Sequence, residues 1–286
     1  MLRRLILPIL LCFALPLVCQ GRSKHAVVIG LGEYQDKAWS KIHGDRDVLI
    51  VLKMLKDNGY TDVKSLVNSQ ATKSNITAAF SSLANRCKSG DIVYIHFSGH
   101  GQQVTDINGD EEDGFDEAWI PYDAEMKYSS KYKGEKHLID DELAVWMSKI
   151  KKKIGKYGRL LVVVDACHSG DSLRKNDDEE EVYYRGTNDD FIIPLKTKPK
   201  RTKKQTENWV TLSACQDFQI NCEVKTKSGG FYGMLSYAIC YMSKDFNGLS
   251  NQRILSKLQQ FVDRHRSRLP QDPVITGDGS NLSIFF

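Results

Sequence analysis

Two short apolar runs, Val93–Tyr–Ile–His–Phe97 and Leu160–Leu–Val–Val–Val164, decide the fold. The first leads directly into Ser98–Gly–His–Gly101, and the second leads into Asp165–Ala–Cys–His–Ser–Gly170. Each run has the length and composition of a buried strand in a parallel sheet. One predicted strand therefore ends at a Gly-flanked histidine and the other at a cysteine close to a glycine.

Predicted strands and helices alternate on either side of these runs. The predicted strands are 25–30, 63–67, 92–97, 160–164, 209–212 and 282–286, and the predicted helices are 45–58, 72–86, 234–242 and 254–265. Alternation of this kind is typical of βαβ units. We therefore expect one α/β domain with a mostly parallel central sheet and helices on both faces.

Composition excludes little apart from one class of partner. The chain has 286 residues and a net charge of +4, and its 40 Lys and Arg residues are scattered among 36 acids. So slight and dispersed a positive charge does not predict a nucleic-acid partner.

Residues 1–21 have the layout of a secretory signal peptide: two arginines, an almost wholly apolar stretch at 5–18, and small or polar residues after it. The stretch is short for a membrane span, although an uncleaved anchor is the alternative. A lipoprotein site at Cys19 is a further alternative, against which Val18 is bulky. We expect a secreted or periplasmic protein without a stable membrane span.

Removal of residues 1–21 leaves an odd number of cysteines. They are Cys87, Cys167, Cys215, Cys222 and Cys240. An odd count in an exported protein leaves at least one thiol unpaired, and the spacings contain no zinc-type pair.

Residues 171–208 interrupt the alternating pattern. They contain an acidic cluster at 177–181 and a basic run at 196–204, which favours a solvated, mobile linker. The linker separates a larger part (22–170) from a smaller part (209–286), and the two parts are expected to share one sheet.

The two strand ends predict nucleophilic catalysis. Ligands of open α/β sheets bind beyond the carboxyl ends of the strands, where we expect His100 and Cys167 to meet. An imidazole can take the thiol proton and later protonate a leaving amine. The backbone N–H groups of Gly101 and Cys167 would stabilise the developing oxyanion. A structural cysteine beside a core histidine is the alternative, and the placement of both residues at strand ends beside glycines disfavours it.

These two motifs, His96–Phe–Ser–Gly–His–Gly101 and Asp165–Ala–Cys–His–Ser–Gly170, resemble the catalytic motifs of the caspase-like clan, specifically of its metacaspase branch. Residues 106–123, 138–142 and 211–217 are similar to further metacaspase blocks, so the resemblance covers nearly the whole mature chain. It implies a caspase-like fold and a cysteine endopeptidase that forms a thioester acyl-enzyme, without a required third member of the triad.

The resemblance also implies the substrate. Caspases that cleave after Asp carry Gln two residues before the nucleophile, where this chain has Asp165. Metacaspases use this Asp together with one on the first helix to bind Arg or Lys at P1, the substrate residue before the scissile bond. Asp47 matches that position, Asp45 is an alternative, and Ser98 is expected to line the site. Asp47 could instead be a first-turn acid favoured by the helix dipole. Two carboxylates suit a cationic side chain.

An EF-hand is rejected from the spacing of the acids after His100. Four residues fit positions 1, 3, 5 and 12 of such a loop, namely Asp106, Asn108, Asp110 and Glu117. However, Glu111 occupies the sixth position, where the loop needs Gly.

The resemblance implies another calcium site, because many metacaspases bind calcium through scattered aspartates. Three of them match Asp116, Asp140 and Asp141. The fourth expected acid aligns with Arg174, and Asp171 or Asp177 remains as a substitute. We expect no cofactor for the chemistry itself and calcium as an activator. A solvated acidic loop is the alternative.

Two functions from different classes follow. In the first, the enzyme cleaves protein or peptide substrates after Arg or Lys and also cuts its own linker. Candidate positions for that cut are Arg185, Lys196, Lys198, Lys200, Arg201, Lys203 and Lys204. An uncut insertion is the alternative for the linker. In the second, the chain is a catalytically silent caspase-like module that binds partners, which the presence of both Cys167 and His100 disfavours. The sequence leaves the oligomeric state open.

Overall fold

The computed structural model describes residues 22–167, 182–197, 199, 202, 208–266 and 269–277. The predicted signal peptide at 1–21 and the predicted strand at 282–286 lie outside the described residues. Among the described residues, no helix combines the length and the apolar character that crossing a bilayer requires.

Most predicted helices and strands are present within one or two residues. In chain order the elements are β1 (Lys24–Gly30), α1 (Gly44–Asp57), β2 (Asp62–Val67), α2 (Lys73–Arg86), β3 (Ile92–Ser98), β4 (Gly101–Thr105), β5 (Phe115–Trp119), β6 (Leu138–Ile139), α3 (Asp140–Ile154), β7 (Arg159–Asp165), β8 (Val210–Ser213), β9 (Glu223–Lys225), β10 (Phe231–Gly233), α4 (Met234–Met242), α5 (Asn251–His265) and β11 (Val274–Gly277). Strands β4 to β6, β9 to β11 and helix α3 were not predicted from the sequence pattern.

Six strands form the central sheet in the order β11-β8-β7-β3-β1-β2. Every neighbouring pair is parallel except β11 with β8. The predicted α/β fold with a mostly parallel sheet is confirmed. In the register of β3 with β7, Ser98 lies opposite Asp165. The polar residues that end β3 and β7 therefore lie side by side at the carboxyl-terminal end of the sheet.

The sheet is buried on both faces, which explains its unbroken apolar strands. In β7, Val162 belongs to the core beneath α2 and α3, whereas Val163 belongs to the core beneath α1, α4 and α5. This alternation follows from the period of two in a strand. Packing on both faces of the sheet therefore holds the carboxyl ends of β3 and β7, with their polar residues, in place.

Two residues of the predicted linker are buried against the domain, while most of its other described residues are exposed or half-buried. Arg185 and Phe191 are both 0% exposed. The Phe191 N–H donates to the Gln103 carbonyl at 2.8 Å, and the Thr105 N–H donates to the Phe191 carbonyl at 3.1 Å. Phe191 is held because its ring packs into the apolar core and its backbone pairs with the edge strand β4, whereas residues 188–190, 192 and 194–197 are exposed. The charged composition of the linker concealed these contacts from the sequence analysis.

Candidate active site

His100 follows β3, and a backbone carbonyl fixes its tautomer. Its Nε2 lies 2.9 Å from the Ser40 carbonyl oxygen. A carbonyl only accepts, so Nε2 carries the proton and Nδ1 carries the lone pair. Nδ1 is buried and has no hydrogen-bond partner among the described residues. The imidazole therefore presents an available base, oriented by Ser40, a residue that the sequence analysis missed.

Aromatic rings hold this imidazole in place. The Trp39 ring stacks on His100 at 5.3 Å between centroids, and the Tyr34 hydroxyl accepts the His100 N–H at 2.7 Å. Burial lowers the pKa of His100 to about 4, and the nearby charge of Arg185 lowers it as well. The hydrogen bond to the Ser40 carbonyl acts in the opposite direction but is weaker than burial. At neutral pH the side chain is thus unprotonated, which is the form that a general base needs.

Cys167 lies two residues beyond β7 and is 2% exposed. Its Sγ donates to the Gln219 carbonyl at 2.6 Å. No disulfide joins any two of the five cysteines of the described residues. Burial raises the pKa of Cys87 to about 12 and that of Cys240 further, while hydrogen bonding to Cys167 and burial raise the pKa of Cys215. These three thiols resist ionisation at neutral pH and are poor nucleophiles.

The carbonyl oxygen of Arg185 lies where an oxyanion would be stabilised. It accepts the Gly101 N–H at 3.2 Å and the Cys167 N–H at 3.1 Å. The two backbone donors that the sequence analysis named therefore converge on one oxygen. That oxygen belongs to a peptide bond, Arg185–Gly186, which is presented directly to Cys167.

The guanidinium of Arg185 fills a buried acidic pocket beside the same cysteine. Its Nη2 donates to Asp47 Oδ2 at 2.8 Å and to Glu223 Oε1 at 2.9 Å, and its Nε also donates to Glu223 at 3.2 Å. Its Nη1 donates to Ser98 Oγ. Arg185 is held by charge-assisted hydrogen bonds on each of its three nitrogens.

Asp165 contributes differently from Asp47. Its Oδ1 lies 3.7 Å from Arg185 Nη1, beyond hydrogen-bond length, and its backbone carbonyl accepts Nη1 at 3.2 Å. Its carboxylate is held instead by Asn221 at 2.8 Å and by the Ser236 N–H and hydroxyl, both at 2.7 Å. Asp165 thus adds negative charge to the pocket while it fixes the surrounding loops.

The charged groups in this pocket shift one another's pKa values. Burial raises the pKa of Asp47 to about 6, although the Arg185 charge opposes the rise. Burial alone would lower the pKa of Arg185, but Asp47, Asp165 and Glu223 outweigh it and the net shift is upward. For Glu223 burial acts upward, yet Arg185 and the hydrogen bond from His43 lower the pKa overall. The cluster therefore favours a bound cation.

Gly233 forms the wall of the pocket and cannot carry a side chain there. A Cβ at this position would lie 2.2 Å from Asp165 Oδ2 and 2.6 Å from Arg185 Nη1. The Gly233 N–H also donates to Asp47 Oδ1 at 3.0 Å. The absence of a side chain leaves the space that the guanidinium occupies.

The structure decides between the two acids left open on α1. Asp47 is fully buried and faces the pocket, whereas Asp45 is partly exposed and bonds the Arg46 N–H at 3.0 Å. Ser98 donates to Asp47 Oδ2 at 2.6 Å, so it lines the pocket. Glu223 was missed, although an acid between the apolar residues of a short strand was an available signal.

The acids that follow β4 lie close to one another. Asp116 is 1% exposed, and one of its carboxylate oxygens has no partner among the described residues. Asp106, Asp110 and Asp116 offer oxygens within 4.8 Å of one another. Burial and four neighbouring aspartates raise the pKa of Asp116 to about 8.

A second acidic group adjoins this one, and we call the two together the acidic cluster. It consists of Glu111, Glu117 and Asp140, again with oxygens within 4.8 Å of one another. Asp141 accepts a hydrogen bond from Asn108. The structure thus brings the predicted Asp116, Asp140 and Asp141 into one region, while Arg174, Asp171 and Asp177 lie outside the described residues.

An α/β sheet that carries a cysteine, a histidine and two converging amide donors at the carboxyl ends of its strands has the groups that a cysteine peptidase needs. A model of the family "Metacaspase, peptidase C14 domain" matches residues 24–176. The chain belongs to the metacaspase family of cysteine peptidases.

Curated relatives agree with this assignment over part of their length. The chain is 34% identical to metacaspase-1A of Aspergillus niger over 166 residues, which cover 54% of this chain and 37% of the relative. It is 35% identical to metacaspase-1 of Pyricularia oryzae over 105 residues, covering 37% and 24%. The matches thus span 37% and 24% of the length of these two relatives.

Solved structures show the same fold. A protein of Geobacter sulfurreducens superposes with a TM-score of 0.63 at 22% identity, covering 92% of this chain and 98% of its own. Caspase-1 of Spodoptera frugiperda superposes with a TM-score of 0.59 at 12% identity, covering 90% of this chain and 86% of its own. The expected caspase-like fold is confirmed.

Proposed function

We propose that this protein is a cysteine endopeptidase that cleaves after Arg or Lys, with Cys167 as nucleophile and His100 as base. One observation carries the proposal: Arg185 lies in the site as the P1 residue of a substrate would. Its carbonyl oxygen accepts both backbone donors, and its guanidinium fills the acidic pocket formed by Asp47, Asp165 and Glu223.

Acylation begins with transfer of the thiol proton from Cys167 to Nδ1 of His100. The thiol first exchanges its bond to the Gln219 carbonyl for one to the imidazole. The sulfur then forms a bond to the carbonyl carbon, and the electron pair moves onto the oxygen held by the Gly101 and Cys167 N–H groups. Collapse of this intermediate breaks the C–N bond while His100 returns its proton to the leaving amine.

Deacylation repeats these steps with water. His100 takes a proton from a water molecule, whose oxygen attacks the thioester carbon at the same oxyanion site. The C–S bond breaks, the acid product leaves, and the proton returns to the sulfur of Cys167. The neutral state of His100, which follows from its lowered pKa, supports its role as a base in both halves.

The proposal includes self-processing between Arg185 and Gly186. Arg185 is the one linker cation among the described residues whose carbonyl contacts the oxyanion donors. Phe191, beyond the cut, is fully buried against β4. A cut chain should therefore stay associated, because both new ends remain bound to the domain. Until the cut, Arg185 blocks the pocket against other substrates.

The alternative function is a catalytically silent module, and a covalent probe separates the two. A peptidyl-arginine acyloxymethyl ketone should label Cys167 of the full chain carrying Arg185→Ala, which empties the P1 pocket, since the acidic pocket then binds the P1 group of the probe and the thiolate displaces its leaving group. Mass spectrometry of tryptic peptides locates the adduct. If the matched ketone with aspartate at P1 labels Cys167 at the same rate, the proposed preference for a basic P1 residue is contradicted. If the arginine ketone does not label Cys167, the proposed endopeptidase function is contradicted.

We also propose calcium as an activator held by the acidic cluster. Carboxylate oxygens are the ligands that calcium prefers, and the buried oxygen of Asp116 without a partner among the described residues fits such an ion. Asp106, Asp110 and Asp116 would hold it, with Asp140 and Asp141 adding charge. A bound ion would neutralise carboxylates that otherwise repel one another between β5 and α3, and so order this end of the domain.

Terbium luminescence tests the calcium proposal without an activity assay. Trp119 and Trp209 line a cavity of about 230 Å³ that Glu117, Asp140 and Asp141 also border, so excited tryptophan can transfer energy to a bound Tb³⁺. We expect Ca²⁺ to displace Tb³⁺, and Asp116→Asn to weaken binding by about tenfold or more.

Asp113→Asn is the matched control, because Asp113 is exposed and lies three residues before Asp116. It should leave Tb³⁺ binding unchanged. Equal binding by Asp116→Asn and by the parent chain would place any ion elsewhere and refute this site.

Residues 1–21 support the further proposal that the protein is exported. The substrates would then be proteins or peptides with Arg or Lys at P1 outside the cytoplasm. N-terminal sequencing of the protein recovered from its native compartment should show a chain that begins near Arg22. A recovered chain that still carries residues 1–21 would refute cleavage of a signal peptide.

A further inference from the structure

Residues 183–185 bind the domain as an added β-strand, which extends the substrate-like contacts beyond P1. The Arg185 N–H donates to the Asn221 carbonyl at 3.0 Å, and the Glu223 N–H donates to the Tyr183 carbonyl at 2.9 Å. Tyr184 pairs with Cys222 as an antiparallel bridge. Side chains alternate along such a strand, so Tyr183 and Arg185 point to the same side.

Tyr183, which lies at P3, packs its ring into an aromatic corner. Its ring centroid lies 4.6 Å from His43 at 85° and 4.9 Å from Phe231 at 68°. His43 and Phe231 stack on each other at 5.4 Å and 18°. Tyr183 thus meets two nearly parallel rings edge-to-face, an arrangement that aromatic pairs favour.

This corner is held by contacts that do not involve Tyr183. Glu223 accepts the His43 Nδ1 at 2.6 Å and the His43 N–H at 2.7 Å. Phe231 is 8% exposed and belongs to β10, which pairs with β9. Glu223 also binds Arg185, so the P1 pocket and the aromatic corner share one rigid support. A preformed site of this kind selects its ligand at little cost in ordering.

We propose that His43 and Phe231 form an S3 subsite that selects aromatic side chains, so that preferred substrates read aromatic–any residue–Arg. This inference rests on the proposed endopeptidase function and specifies its substrates further. It assigns to these two residues a role in specificity rather than in the chemical step.

Three fluorogenic peptides with Arg at P1 test the subsite. They are acetyl-Tyr-Tyr-Arg, acetyl-Ala-Tyr-Arg and acetyl-Tyr-Ala-Arg aminomethylcoumarin. The enzyme is the full chain with Tyr183→Ala and Arg185→Ala, which removes the groups that fill the two subsites. We expect kcat/KM for each of the two peptides with Tyr at P3 to exceed kcat/KM for acetyl-Ala-Tyr-Arg about tenfold. This ratio is equivalent to about 1.4 kcal/mol.

Substitutions in β10 supply a matched pair. In the same background Phe231→Ala should bring the ratio of kcat/KM for acetyl-Tyr-Tyr-Arg to kcat/KM for acetyl-Ala-Tyr-Arg close to one. Tyr232→Ala should preserve the ratio, because Tyr232 stacks on Tyr237 and belongs to the other side of the strand. The ratio is measured within each variant, so it does not depend on the amount of folded enzyme.

The outcomes separate this inference from the function on which it rests. Equal kcat/KM for acetyl-Tyr-Tyr-Arg and acetyl-Ala-Tyr-Arg, measured on the chain with Tyr183→Ala and Arg185→Ala, would refute the subsite. The endopeptidase function would still stand. Failure to cleave any of the three Arg peptides would refute the endopeptidase, and the subsite with it. A ratio that survives Phe231→Ala would show that other residues select P3.

Discussion

Cys167→Ala should reduce peptidase activity on the order of a thousandfold or more, and His100→Ala should come close to the same loss. The thiolate and the imidazole act as one unit, because each step that moves a proton needs both, and such pairs show non-additive losses. The measurement is kcat/KM on an Arg-P1 peptide, with circular dichroism to establish that each variant folds. The double variant should be no worse than Cys167→Ala alone.

Cys240→Ala is the matched control for this loss. Cys240 is a free thiol on α4, and burial raises its pKa, so that it resists ionisation at neutral pH. Its removal should leave activity within a few-fold of the parent chain. A Cys167→Ala protein that cleaves at the parental rate would mean that another residue is the nucleophile.

Selectivity for a basic P1 residue is the second large effect that we expect. A P1 carboxylate would face three carboxylates in a desolvated pocket, which costs several kcal/mol, so Asp-P1 peptides should be cleaved at least about a thousandfold less well than Arg-P1 peptides. Asp47→Asn should lower kcat/KM for Arg-P1 peptides about a hundredfold, since it removes the charge that binds Nη2. Asp165→Asn should also weaken turnover.

The control is Asp45→Asn, which makes the same change of charge two residues earlier on α1. Asp45 is partly exposed and outside the pocket, so this variant should retain the parental kcat/KM. Efficient cleavage of an Asp-P1 peptide by the parent enzyme would contradict the assignment of the pocket.

The pH dependence of Arg-P1 cleavage follows from the same pocket. With a cation bound, the pKa of Asp47 is about 6. Below that pH the carboxyl gains a proton and loses its charge, so binding of an Arg side chain weakens as pH falls. We expect KM to rise below about pH 6, and a KM that stays constant down to pH 4 would contradict the role of Asp47.

The placement of His100 and Cys167 at the carboxyl ends of neighbouring strands was predictable because it follows directly from where those strands end. Val93–Tyr–Ile–His–Phe97 and the run before Asp165 have no polar interruption at their termini, so their carboxyl ends could be located within a residue. Parallel pairing then places Ser98 opposite Asp165. Local pattern and sheet geometry together sufficed, and no knowledge of distant contacts was needed.

The acids of the pocket were predictable only in part. The buried stripe of α1 includes Asp47 together with Val48 and Val51, so the phase of the helix could have excluded Asp45. Glu223 gave a weaker signal, because β9 is only three residues long and shows no clear period. Its position in the pocket depends on the pairing of β9 with β10, which the sequence pattern did not predict.

Arg185 was not predictable as the occupant of the site. The sequence analysis named it among seven linker cations, and nothing local distinguishes it from Lys196 or Arg201. Its position results from the pairing of residues 183–185 with 221–223, which are far apart in sequence. Long-range pairing of this kind is decided by tertiary contacts rather than by local propensity.

Self-processing at Arg185 tests the central claim most directly. The purified parent chain and Cys167→Ala are incubated side by side, with and without Ca²⁺, and new N-termini are sequenced. We expect a new terminus beginning Gly186–Thr–Asn188 in the parent chain and none in Cys167→Ala, while Arg185→Ala should lose this cut. The same cut in both the parent and Cys167→Ala proteins, or no cut in the parent under either condition, would contradict the account.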